Sequence, residues 1–114
     1  MKIKESIHQK VAVLTVKGSM MGPPETVKLF EDVQGLVNDG IKRIVLDFTH
    51  VNWINSLGVG AVMKCLTLLR NKNGYLYLVG LTEKVKSIFM VTQLIKVFTI
   101  KETAEEAIEE LNNT

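Results

Sequence analysis

The chain has 114 residues, of which 46% are hydrophobic and 23% are charged, as is typical of one globular domain that can bury its own core. The net charge is only +2 and the charges are scattered, so the composition gives no support to direct nucleic-acid binding. No apolar run approaches the roughly 18 residues that cross a bilayer, so we expect no direct membrane insertion. With one cysteine and no apolar leader at the amino terminus, we expect a cytoplasmic protein.

The first half of the chain predicts two strands, a helix and a third strand. Residues 2–8 alternate in polarity and residues 11–16 are apolar and β-branched, so together they predict an N-terminal hairpin. Residues 41–48 are almost wholly apolar, which is typical of a strand in the middle of a sheet. Between them, four apolar residues at helical spacing predict the core-facing side of a helix: Val27, Phe30, Val33 and Val37.

The second half predicts alternating helices and strands. Residues 59–69 have helical periodicity, residues 75–79 read as a strand, and Thr82 can cap a short helix. Residues 97–100 predict a last strand, and Thr103 begins a capping box that opens the final helix. The predicted order is ββαβαβαβα: one α/β domain, with a mostly parallel central sheet that begins with the hairpin and has helices packed against it.

The segment Asn55-Ser56-Leu57-Gly58-Val59-Gly60 joins the central strand to the next helix. The first turn of a helix offers unpaired N–H groups and the positive end of the dipole, so an anion or a phosphorylated hydroxyl is favoured there by roughly 0.3–2 kcal/mol. Gly58 and Gly60 would let the helix start lie close to other backbone and leave Ser56 exposed. A simpler interpretation is that Asn55 or Ser56 is only an N-cap, which is the commonest role for these residue types.

Nucleotide and metal motifs are absent from this sequence. Counted from Gly58, a dinucleotide fingerprint needs a third glycine at Met63, and a phosphate loop needs a glycine at Met63 and a hydroxyl at Cys65. His8 and His50 have no partners at ligand spacing, and Cys65 lies within an apolar helical pattern. We therefore expect no metal site and no cofactor.

The run from residue 44 to residue 60, IVLDFTHVNWINSLGVG, resembles the central signature of STAS domains, the anti-sigma factor antagonist family, in which a strand ends in D-S-x-G-L-G. Residues 85–100 also resemble the family's third helix and last strand. The resemblance implies a STAS domain over residues 1–114. Two positions differ from the usual signature: Asn55 stands where the family usually has aspartate, and Leu57 where it usually has a small residue.

The resemblance implies a regulatory binding protein rather than an enzyme. In the partner-switching members of the family, a serine protein kinase that is also an anti-sigma factor phosphorylates the serine of the signature. Only the unphosphorylated form binds the kinase productively and releases the sigma factor. The matching residue is Ser56, and a phosphate of about −1.5 to −2 charge there would disrupt an apolar partner contact.

A partner-binding surface is predicted beside Ser56. Ala61, Cys65 and Leu68 share a flank of the helix outside its core stripe, and this flank is either an exposed docking face or part of a wide buried face. The two methionines after the second strand either extend the partner surface or, as the sequence favours, fill a gap in the core. The predicted partner-binding residues are Asn55, Leu57, Gly58, Gly60, Ala61, Cys65, Leu68, Met20 and Met21.

Two other functions are open on the sequence alone. Some small STAS proteins attach to a transporter ATPase without phosphorylation, so the alternative function is an accessory subunit of a membrane transport complex. Asn55 in place of the usual aspartate favours this alternative. A phosphate-handling enzyme with Ser56 as nucleophile ranks below both, because the sequence shows neither a general base nor a complete phosphate loop.

Overall fold

The computed structural model describes residues 2–114. The chain begins with two strands, after which helices and strands alternate in the predicted order. A single 3-10 turn, Leu94–Lys96, precedes the last strand. Within residues 2–114, no helix combines the length and apolarity needed to span a bilayer. The elements are β1 Lys2–His8, β2 Val11–Met20, α1 Glu25–Asn38, β3 Arg43–Ile54, α2 Ser56–Asn71, β4 Tyr75–Val79, α3 Glu83–Val91, β5 Thr99–Lys101 and α4 Ala104–Asn112.

The five strands form one sheet in the order β1-β2-β3-β4-β5. β1 runs antiparallel to β2, and every other neighbouring pair is parallel. β3 lies in the middle, as its continuous apolar run predicts. The predicted α/β class, the N-terminal hairpin and the mostly parallel sheet are therefore confirmed.

The sheet separates two apolar cores, because successive side chains of a strand point to opposite faces. Leu14, Leu46 and Phe48 face the larger core, which α1, α2 and α3 cover. Val13 and Val45 face the smaller core, which Leu111 of α4 covers from the other side. Among the described residues, three helices thus cover one face of the sheet, and α4 covers part of the other face.

The two central strands extend beyond their predicted ends. β2 continues to Met20 and β3 to Ile54, because the two strands pair with each other, with Ser19 opposite Trp53 and Met20 opposite Ile54. The local apolar pattern does not predict where these strands end, because the pairing that extends each strand involves a strand distant in sequence. Met20 therefore lies in a strand rather than in the predicted loop.

Helix α1 is rotated relative to the prediction. Val33 and Val37 are buried as expected, but Val27 is 50% exposed and Phe30 is only half-buried. Apolar residues cover a wide arc of this helix, so their spacing alone does not decide which side faces the sheet. The rotation leaves Val27 and Phe30 facing α2 near the surface. The buried residues of α1 are Thr26, Leu29, Val33, Leu36 and Val37.

Candidate functional site

Ser56 is the first residue of α2 and its side chain is exposed. The central strand ends at Ile54, and Asn55 has the extended backbone typical of an N-cap, with φ −111° and ψ −173°. Leu57, the next residue, is 58% exposed. A hydroxyl and an apolar side chain therefore lie side by side at the start of a long helix, on the surface.

Asn55 links the start of α2 to the end of β2. Its Oδ1 accepts a hydrogen bond from the Gly58 N–H at 3.0 Å, and its Nδ2 donates to the Met21 carbonyl at 2.8 Å. Its backbone N–H donates to the Met20 carbonyl at 3.3 Å. Asn55 is therefore the N-cap that the sequence left open between Asn55 and Ser56, and capping does not require the Ser56 hydroxyl.

The two glycines of the signature have different roles. A Cβ on Gly58 would overlap the Met20 carbonyl oxygen and lie 2.6 Å from Ile54 Cγ1, so the predicted close approach of backbone is found at Gly58. The same prediction is wrong for Gly60, where a Cβ would meet no atom of the described residues within 4 Å outside its own helix turn. The missing side chain of Gly60 instead leaves open space beside α1.

A groove of about 400 Å³ lies between α1 and α2 next to Ser56. Among residues 2–114, Lys64 is the charged residue in its lining, and no carboxylate or imidazole lines it. At 1.5 Å per residue, Lys64 lies about 12 Å along the helix axis from Ser56. The groove is therefore an apolar surface with a hydroxyl near one end and a cation farther along. Its apolar lining includes Pro23, Val27, Phe30, Leu57, Gly60 and Ala61.

The groove continues along α2 toward its carboxyl end. A second hollow of about 390 Å³ shares Phe30, Gly60 and Lys64 with the first and extends to Leu68. Both hollows face the space between α1 and α2, so they form one surface along the helix. We call this surface the Ser56 groove.

The structure places the predicted partner-binding residues in two groups. Exposed or partly exposed residues are Leu57, Met21, Asn55, Gly60 and Leu68, and Ala61 lines the groove although it is only 7% exposed. Cys65 and Met20 have no exposed surface and Gly58 is buried. A direct partner contact by Cys65 or Met20 is therefore a wrong prediction, because both side chains fill the core between α2 and the sheet.

Several residues of the Ser56 groove are not predicted from the sequence to belong to the partner surface, and Val27, Phe30 and Lys64 are among them. The helical spacing of Val27 and Phe30 predicts that they face the core, and it does not indicate a surface role for either residue. Lys64 is the single charged residue from Ser56 to Leu69, which is a signal that this side of the helix faces solvent.

Cys65 lies beneath the Ser56 groove, in the core that α2 covers. Burial raises the pKa of the Cys65 thiol to about 12, so the thiol stays neutral at physiological pH. Within residues 2–114, no group of three or more His, Cys, Asp or Glu side chains could hold a metal ion. His8 lies on the edge strand, where its Nε2 is 2.9 Å from Ser6 Oγ. The groove thus offers apolar area, the exposed hydroxyl of Ser56 and the ammonium group of Lys64.

The opposite side of the sheet carries a separate polar cluster. The Tyr77 hydroxyl donates to one carboxylate oxygen of Glu110, and Lys101 Nζ lies 3.0 Å from the other. Burial and then Glu110 raise the pKa of Tyr77 to about 12. The hydrogen bond from Tyr77, followed by Lys101, lowers the pKa of Glu110. This cluster fastens α4 to the sheet.

Curated sequences include similar proteins. The family model for the STAS domain matches residues 2–107. A protein of Thermotoga maritima provisionally named an anti-sigma factor antagonist is 31% identical over 75 residues. The aligned stretch spans 66% of this chain and 66% of that protein, just under two thirds of each.

Solved structures share the fold. The crystal structure of TM1081 of Thermotoga maritima, provisionally named an anti-sigma factor antagonist, matches with a TM-score of 0.85 and 26% identity, over 96% of this chain and 94% of that chain. The Bacillus cell fate determinant SpoIIAA in its phosphorylated form matches with a TM-score of 0.75 and 18% identity, over 96% and 98% of the two chains. At that identity, the likeness to SpoIIAA concerns the fold alone. Because the family model matches nearly the whole sequence and the fold agrees, the chain belongs to the STAS domain family.

Proposed function

We propose that this protein is an anti-sigma factor antagonist that acts by partner switching. Unphosphorylated, it binds a serine protein kinase that is also an anti-sigma factor, and phosphorylation of Ser56 releases it. The observation that carries the proposal is the exposed Ser56 at the start of α2, beside an apolar groove. Family membership and the provisional name of the Thermotoga maritima relative support it. A role of this kind places the protein in the cytoplasm.

A phosphate on Ser56 would affect the partner more than the fold. Asn55 already accepts from the amides of Gly58 and Val59, so the amides of Ser56 and Leu57 remain in the first turn for water or a phosphate. The helix dipole favours an anion there by about 0.3–1 kcal/mol. A partner that covers Leu57 and the Ser56 groove would have to desolvate the phosphate, at a cost that opposes binding.

The proposed partner surface comprises the exposed part of the predicted set together with residues that the structure adds. Leu57, Gly60 and Ala61 lie next to Ser56, and Val27 and Lys64 extend the surface across the groove. Gly58 and Cys65 support this surface from inside. Because the described part of the chain places no carboxylate or imidazole in the lining of the groove, we assign it to binding rather than to an enzymatic reaction.

The proposed domain covers residues 1–114, although the family match ends at residue 107. Helix α4 continues to Asn112, and its Leu111 is fully buried against the sheet.

The modified residue can be identified directly. We would incubate the protein with its cognate kinase and ATP and locate the phosphate by mass spectrometry, using Ser56→Ala and a control, Ser87→Ala. Ser87 is also exposed on a helix, but its hydroxyl donates to the Glu83 carbonyl at 2.9 Å. We expect one phosphate, on Ser56, in the wild type and in Ser87→Ala, and none in Ser56→Ala. Phosphate on other residues alone would contradict the proposal.

Partner binding tests the second half of the proposal. We expect Ser56→Ala to bind the kinase as the wild type does and Ser56→Asp to bind more weakly, measured by calorimetry. Equal affinity of all three proteins would remove Ser56 from the interface. Co-purification with transporter components, and not with a kinase, would favour the accessory subunit of a membrane transport complex instead.

A further inference from the structure

Helix α4 covers only part of its side of the sheet. It packs on Val13, Val45 and Tyr77. Its carboxyl end reaches the β1–β2 turn, where the Asn112 side chain accepts from the Lys10 N–H and donates to the His8 carbonyl, both at 3.1 Å. The opposite ends of β1 and β2 carry Lys2 and Lys17 and lie outside this contact.

The uncovered area is basic. β2 directs Val11 and Val13 toward α4, so Thr15 and Lys17 point to the same side of the sheet. Strand pairing places Lys2 opposite Lys17, Lys4 opposite Thr15, and Lys17 opposite His50. Lys2, Lys4, Lys17 and His50 are exposed. We call these four residues together with Thr15 the open sheet patch.

Within the described residues, no lysine of the open sheet patch forms an ion pair. Lysines directly opposite on neighbouring strands repel each other. The ion pairs among residues 2–114 are Lys28–Asp32 and Lys101–Glu110, and neither includes a lysine of the patch. Asp47 borders the patch beside Thr15, and its Oδ1 accepts from the Thr49 N–H at 2.9 Å and the Thr49 hydroxyl at 2.6 Å. Its single negative charge offsets only part of the charge of the three lysines. The patch therefore suits an anionic partner from outside the molecule.

The complementary charge lies on α4 of the same chain. This helix carries four glutamates and no lysine or arginine. All four are exposed, and among the ion pairs of residues 2–114 only that of Glu110 with Lys101 involves this helix. The acidic helix and the basic patch adjoin each other on one side of the sheet. The glutamates are Glu105, Glu106, Glu109 and Glu110.

We propose that two copies of this chain associate face to face, with α4 of each copy lying over the open sheet patch of the other. A two-fold axis between α4 and the open sheet patch would place the acidic helix of each copy over the basic patch of the other, so the surface is self-complementary. The Ser56 groove lies on the other side of the sheet, between α1 and α2, so it stays accessible in such a dimer. The inference is thus independent of the proposed function.

A second copy fits this surface better than an anionic membrane does. Lipid-binding basic segments usually hold clusters of about 4–8 lysines or arginines. The patch has only three lysines, and the four glutamates of the adjoining helix would be repelled by the same bilayer.

Association and its geometry are measurable on the purified full chain. Sedimentation equilibrium should show a monomer–dimer equilibrium that weakens between about 0.05 M and about 0.5 M salt, because the paired charges are exposed and screened. A carbodiimide, which joins lysine amines to carboxylates without a spacer, is then applied to a mixture of unlabelled and ¹⁵N-labelled protein. We expect mixed-isotope crosslinks from Lys4 or Lys17 to Glu105 or Glu109.

Charge reversal provides the decisive comparison. Because the two-fold axis repeats every contact, Lys17→Glu and Glu109→Lys should each weaken self-association about tenfold or more. An equal mixture of the two variants should recover wild-type association, since both interfaces of the mixed dimer then pair opposite charges. Lys72→Glu is the matched control, because it reverses an exposed lysine at the end of α2 and should have no effect.

Several results would overturn the proposal. One is a sedimentation experiment that shows a monomer at every concentration. Another is a set of intermolecular crosslinks that includes no lysine of the open sheet patch. If the lysines serve only to protect the edge strand β1 from strand addition, reversal of Lys17 leaves association unchanged. Binding to phosphatidylserine vesicles that is lost in Lys17→Glu, with no self-association, would assign the patch to a membrane instead.

Discussion

Asn55 is the residue by which this chain departs most clearly from the usual STAS signature, and the structure predicts the effect of restoring aspartate. An aspartate at position 55 could still accept from the Gly58 N–H, but it could not donate to the Met21 carbonyl, now 2.8 Å from Nδ2. The lost bridge is worth about 0.5–1.5 kcal/mol, and the second carboxylate oxygen would then face the carbonyl oxygen. The added charge at the helix start returns about 0.3–1 kcal/mol. We expect Asn55→Asp to destabilise the fold by about 1 kcal/mol.

Three further variants separate capping from bridging in urea unfolding. Asn55→Ser keeps a capping oxygen and loses the bridge, so it should cost about 1 kcal/mol. Asn55→Ala loses both and should cost about 2 kcal/mol. Thr82→Asp is the matched control, because Thr82 caps α3 through the Val85 N–H without linking a second loop, and its stability should change by no more than a few tenths of a kcal/mol. A stability of Asn55→Asp equal to or above that of the wild type would refute this account of the bridge.

Three other predictions concern the core and α4. Gly58→Ala should destabilise the folded state by about 3 kcal/mol, because its Cβ would overlap the Met20 carbonyl. Gly60→Ala should stabilise the folded state by about 0.5–1 kcal/mol, because a helical alanine there has room. If urea unfolding showed similar effects of both substitutions, the different surroundings of the two glycines would be contradicted. Native Cys65 should resist thiol reagents at neutral pH and react fully in denaturant; rapid labelling of the native protein would contradict its burial. The lowered pKa of Glu110 makes its ionised form stabilising above pH about 4.5, and this contribution is lost as the pH falls through the lowered pKa. Glu110→Gln should therefore be less stable than the wild type at pH 7, with a gap that closes in acid; a gap that persists there would argue against an ionic contribution.

The candidate site was predictable to the extent that it depends on local sequence. A strand ending at a serine followed by glycines indicates a helix start, whatever the rest of the fold does. The N-cap was left open between Asn55 and Ser56, because either side chain can cap. In the structure the cap is Asn55, whose Oδ1 accepts from the Gly58 N–H. Its side-chain Nδ2 also donates to the Met21 carbonyl, which lies just after β2.

By itself, the sequence determined the order of elements, the hairpin, the central position of β3 and the exposed Ser56. These features follow from periodicity, turn residues and caps, which act over a few neighbouring residues. Only the tertiary structure decided that Cys65 is in the core while Val27 and Phe30 line the Ser56 groove. The physical reason is that both helices carry apolar residues around a wide arc, and the part of that arc that meets the sheet depends on how α1 and α2 pack against each other.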